Sequence, residues 1–112
     1  MPSRMDTSAD ILTRLEGVIA ERRKAAPEES YVASLAARGL PTIARKLGEE
    51  ATEAVVAALA GDEEELVGEA ADVLFHLMVL LAKKDIPLEK VLTELERREG
   101  TSGLAEKAAR SA

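Results

Sequence analysis

Cysteine is absent from the 112 residues. That excludes disulfides, thiolate catalysis and iron–sulfur ligation, and it fits a reducing compartment. Tryptophan is absent too, and the only aromatic residues are Tyr31 and Phe75. A core with so few rings is filled by Leu, Val, Ile and Ala, which favours close-packed helices over sheets. Proline and glycine are scarce, at 4 and 7 residues, and 46% hydrophobic with 32% charged residues excludes a disordered or collagen-like chain. No apolar run is long enough to span a bilayer, because the longest, over residues 70–82, is interrupted by Asp72 and His76. The opening residues lack the apolar stretch of a signal peptide, so a cytoplasmic protein without membrane partners is expected. An excess of positive charge is also missing. The net charge of −6 argues against nucleic acid as a partner, since that affinity comes largely from neutralising phosphates. An acidic protein that handles phosphates needs a cation.

What remains is one all-α domain of four to five helices. Residues 1–9 lack periodicity and read as a flexible N-terminal arm, leaving 10–112 as the domain. The spacing of Ile11, Leu12, Leu15, Val18 and Ile19 predicts a helix over 10–24. Ser30 caps a short helix that ends at Gly39, and Pro41 opens the next, which runs to Ala60. Asp62 and Glu65 make a D-x-x-E capping box that starts a helix over 63–83, whose apolar second half marks it as central. A further helix follows Pro87 as far as Gly100, then a flexible loop over 100–103 and a last Ala-rich turn or two. From Arg97 onward four basic residues face two acidic ones, net +2, which leaves −8 for the rest.

The chemistry is concentrated in two acidic sets. At about 100° per residue, Glu49, Glu50, Glu53 and Lys46 share one helix face, beside an apolar stripe of Ile43, Leu47, Ala54 and Ala58. On the following helix Glu69 and Asp72 lie about 60° apart, with His76 one turn further on. Residues 53 and 69 are equidistant from position 61, so a tight antiparallel hairpin brings the two sets level. Glutamates on a helix are ordinarily a solvated face, but Asp72 sits in an apolar run, where an unpaired carboxylate is costly. Two readings stand: an oxygen-rich site for Mg²⁺ or Mn²⁺, or a structural acid cluster paired with Lys46. His76 reads either as a satisfied core residue or as a partner to Asp72. Gly48, inside a helix, suggests a close helix contact. Tyr31 reads as packing, or as a ring able to stack on a base.

The pattern E-E-x-x-E, fifteen residues, E-x-x-D resembles the MazG-like all-α nucleoside-triphosphate pyrophosphohydrolases. The words SYVASL from Ser30, IARKLGEEATEAV from Ile43, EAADVLFHLMVLL from Glu69 and RREGTSGLAEKAAR from Arg97 are similar to those of the phosphoribosyl-ATP pyrophosphatase family. That resemblance implies a MazG-like bundle completed by homo-oligomerisation. It also implies hydrolysis of phosphoribosyl-ATP to phosphoribosyl-AMP and pyrophosphate, the second step of histidine biosynthesis. It places a metal, Mg²⁺ with Mn²⁺ as substitute, on Glu50, Glu53, Glu69 and Asp72, and gives Glu49 the role of orienting or deprotonating water. A monofunctional form is expected, without the cyclohydrolase. A triphosphate also needs cationic contacts, for which Lys46, Lys107, Arg110 and Arg98 are candidates, with Ser102 and Gly103 as further donors. Two alternatives stay open: a house-cleaning hydrolase of ordinary or damaged nucleoside triphosphates, and a non-catalytic helical dimerisation module.

Overall fold

The computed structural model describes residues 4–100 and 103–111, and all regular structure among them is helical. Six helices follow in order: α1 (Arg4–Arg22), α2 (Tyr31–Arg38), α3 (Leu40–Ala60), α4 (Glu63–Lys83), α5 (Leu88–Glu99) and α6 (Gly103–Ser111). The expected arm over 1–9 is corrected in part, since helix begins at Arg4; no proline or glycine separates that residue from Asp10. The expected last turn or two is a complete helix, α6, which takes the count from four or five to six.

Boundaries elsewhere follow local chemistry. The Ser30 hydroxyl accepts the Ala33 N–H at 3.1 Å and starts α2. Gly39 ends α2 and begins α3 with φ at +96°, a conformation that disfavours any residue bearing a Cβ. Its N–H donates to the Leu35 carbonyl, and its carbonyl accepts from the Ile43 N–H, so one residue serves both helices. Pro87 has no side chain able to cap α5. The Leu88 N–H instead donates to Glu16 of α1 at 2.8 Å, tying the two helices together.

α3 and α4 form the antiparallel hairpin expected, and its turn is crowded. A Cβ on Gly61 would lie 3.0 Å from the Ala57 carbonyl oxygen and 2.5 Å from Glu65 Oε2. The Asp62 carboxylate accepts the Glu65 N–H at 2.8 Å. Helix α4 is central in that both α3 and α1 pack on it, with α2 lying on α1 and α3. Ile19, Val32, Leu35, Ile43, Met78, Val79 and Leu88 build the core, and Phe75 packs at its edge. The burial of α4 is one-sided, however: His76, Met78 and Val79 are buried, whereas Leu74 is exposed. Gly48 makes no close helix contact, because a Cβ there would meet nothing within 4 Å.

Candidate active site

The hairpin sets the two acidic groups against each other. Oxygens of Glu50 from α3 and of Glu69 and Asp72 from α4 all lie within 4.8 Å of one another. Glu53, one turn beyond Glu50, lies close enough to both Glu50 and Glu69 to raise their carboxyls, the level pairing expected from a hairpin centred on residue 61. Carboxylates only accept hydrogen bonds, so a proton or a cation has to stand between them. Burial is the main cause that pushes the Glu50 carboxyl above the usual carboxylate range; Glu53 and Asp72 add to it and His76 opposes it. Glu69 is raised in the same way, by burial first and then by Glu53, Asp72 and Glu50. One Glu69 oxygen, Oε2, is buried with no hydrogen-bond partner. A cleft of about 530 Å³ opens beside these acids, lined in part by Glu53, Glu65, Glu69 and Asp72.

The cations stand elsewhere. Lys46 does not neutralise the cluster but pairs with Glu49 at 3.3 Å, while Arg45 holds the same carboxylate at 3.7 Å. The Lys46 ammonium is held above its usual value, first by the hydrogen bond to Glu49 and then by Tyr31. Glu49 therefore sits beside the converging acids with its own cationic partners. Arg98 lies on α5, where it and Arg97 both clasp Glu94 at 2.7–2.9 Å and hold that carboxyl down to about 2. Lys107 and Arg110 are exposed on α6, which Gly103 opens, and Ser102 lies outside the described residues. The side chains that shift Glu50 and Glu69 most belong to α3 and α4.

His76 is buried, and its Nδ1 donates to the main-chain carbonyl of Asp72 at 2.7 Å, not to the carboxylate. Its Nε2 meets the Tyr31 hydroxyl at 2.8 Å. This bond was not anticipated, since Tyr31 lies on α2, 45 residues away in sequence. The only available signal was that the chain has a single Tyr and a single His.

Comparison with known proteins agrees with this geometry. The family model described as Phosphoribosyl-ATP pyrophosphohydrolase matches residues 12–99, which include every acid of the cluster and Tyr31, and stop short of α6. A protein named phosphoribosyl-ATP pyrophosphatase from Novosphingobium aromaticivorans is 68% identical over 102 residues, covering 91% of this chain and 95% of that one. Proteins of the same name from Rhizorhabdus wittichii (66% identical, 88% of this chain and 93% of the relative) and Zymomonas mobilis (60%, 92% and 96%) are similar throughout.

Proposed function

The chain belongs to the phosphoribosyl-ATP pyrophosphohydrolase family, and from that premise we propose that it cleaves phosphoribosyl-ATP between the α and β phosphates. The products are phosphoribosyl-AMP and pyrophosphate, and the reaction is the second step of histidine biosynthesis, in the cytoplasm. The observation that carries this reading is the convergence of Glu50, Glu69 and Asp72 within 4.8 Å, with one Glu69 oxygen buried and unpartnered. Acids packed this closely repel one another and would repel a triphosphate, so they suit a divalent cation better than an anion directly.

The donor set is all carboxylate oxygen, which fits a hard cation, Mg²⁺ with Mn²⁺ as substitute. Glu50, Glu69 and Asp72 would hold it, with Glu53 completing the set. When bound, the metal neutralises phosphate oxygens and makes water a better nucleophile. Glu49, outside the converging oxygens yet next to Glu50 in sequence, accepts a proton from the attacking water. Lys46 is placed to meet a phosphate beside it. Arg98, Ser102, Gly103, Lys107 and Arg110 are assigned to the remaining phosphates.

The working form is a homo-oligomer. Val55, Val56, Leu59, Val67 and Leu74 leave an apolar face of the α3–α4 hairpin exposed, Leu59 to 84%. The radius of gyration, 16.2 Å, exceeds the roughly 13 Å of a compact chain this long. Covering that face with a second copy offers a route for basic residues of one subunit to reach acids of the other. Light scattering should give a mass of at least twice 12.0 kDa, and an active monomer would refute it.

The decisive assay is pyrophosphate release from phosphoribosyl-ATP, compared with dATP and dUTP, with Mg²⁺ and with chelator. Metal-dependent release selective for phosphoribosyl-ATP supports the reading. Equal cleavage of the deoxynucleotides would instead indicate a house-cleaning hydrolase. None of the helices is long and apolar enough to cross a membrane among the described residues.

A further inference from the structure

The chain has one Tyr, one Phe and one His and no Trp, and the structure gathers all three rings at a single point. Tyr31 and Phe75 stack with centroids 6.2 Å apart and 21° between planes. His76 meets both edge-on, at 5.7 Å from Tyr31 and 5.3 Å from Phe75. Hydrophobic burial alone does not explain this, because Phe75 packs at the edge of an aliphatic core while Tyr31 keeps half of its surface exposed. The Tyr31 hydroxyl is tied to His76, so the exposed ring cannot swing freely about its side-chain torsions.

From this arrangement we propose that Tyr31, backed by Phe75 and oriented by His76, is the platform on which the purine base of the nucleotide stacks. The proposal deepens the reading of the acid site as a phosphoribosyl-ATP hydrolase and rests on it. Three features favour a flat aromatic ligand over an aliphatic side chain. The Tyr31 ring is backed by Phe75 yet keeps half of its surface exposed, and base–aromatic stacking tolerates that exposure. Phe75 and His76, which back and orient the Tyr31 ring, lie on α4 about one helical turn from Asp72, which places the platform beside the acids, where a ribose can link base and phosphate. Lys46, which pairs with Glu49 at 3.3 Å, also feels Tyr31 electrostatically, so a cation able to meet a phosphate shares the neighbourhood of the ring.

The sole tyrosine gives a single set of ring signals in the NMR spectrum of Tyr-labelled protein. Phosphoribosyl-AMP, which keeps the base and has no anhydride left to cleave, should shift those signals upfield in the presence of Mg²⁺. Ribose 5-phosphate and pyrophosphate, which lack the base, should leave them in place. In calorimetry Tyr31→Leu should bind phosphoribosyl-AMP about 10-fold more weakly, Tyr31→Phe should stay closer to the wild type, and pyrophosphate affinity should be equal in all three. Unmoved Tyr31 signals in protein that binds phosphoribosyl-AMP, or wild-type affinity in Tyr31→Leu, would overturn the proposal. Either result leaves the wild-type hydrolysis assay to judge the function separately.

Discussion

The hydroxyl of Tyr31 lies 2.8 Å from Nε2 of His76, whose Nδ1 donates to the Asp72 carbonyl, a group that can only accept. In the neutral ring Nδ1 therefore carries the proton and the Tyr31 hydroxyl donates to Nε2. Nitrogen NMR of the single histidine should show Nδ1 protonated and Nε2 bare in the wild type, and tautomer averaging should appear in Tyr31→Phe. A wild-type spectrum with Nε2 protonated would show the bond to be made differently.

Glu50→Gln, Glu53→Gln, Glu69→Gln and Asp72→Asn should each abolish turnover while helicity by circular dichroism is kept, since the amides preserve shape and remove the anion. Without metal these variants should melt above the wild type, because each relieves repulsion within the cluster. Near wild-type rates, or full activity after chelation, would defeat the metal assignment.

The raised carboxyls of Glu50 and Glu69 set the sign of a pH effect. Above the ordinary carboxylate value of about 4.3, the folded metal-free chain holds these protons more tightly than the unfolded chain does. Their contribution to stability is therefore complete below that value and is lost as pH rises through the raised folded values. Urea midpoints in chelator should fall over this interval, and they should fall less in the Glu50→Gln/Glu69→Gln double variant. Saturating Mg²⁺ should restore the wild type at neutral pH.

Gly39→Ala should cost about 1–3 kcal/mol, measured by urea unfolding, because φ is +96° and ψ 173° at this position, a region essentially reserved for glycine. The same change should lower turnover, since Gly39 joins the helix carrying Tyr31 to the helix carrying Glu50.

Deleting residues 101–112 should reduce kcat/KM for phosphoribosyl-ATP by about 10-fold, the loss expected when charge-assisted phosphate contacts disappear, without lowering the melting temperature of the core. Unchanged kinetics would return phosphate binding to Lys46 and the hairpin alone.

The elements were legible where chain-local chemistry sets them. The Ser30 and Asp62 caps and the pivot at residue 61 all follow from rules that act within a turn or two. The acid cluster was legible for the same reason, being a consequence of two periodicities and one short connection. The Tyr31–His76 bond was not, because it joins helices that no sequence spacing relates. Nor did sequence reveal that Lys46 serves Glu49 instead of the cluster: it lies on the correct face, but Glu49 one turn away is the nearer partner. Gly48 misled because a glycine in a helix suggests close packing, whereas here it lies on an open surface.

The crowding at Gly61 has a consequence for how such a chain can diverge. Surface connections ordinarily absorb insertions readily. Here one added residue would advance α4 by about 1.5 Å and turn it by about 100° relative to α3, or else be forced outward past the Ala57 carbonyl and Glu65. The first outcome would turn Glu69 and Asp72 out of register with Glu50 and Glu53, and the second would break the packing of the turn. The connection over 61–62 thus acts as a ruler of fixed length, and functional descendants of this chain can exchange solvated charges along the hairpin before they can change its count.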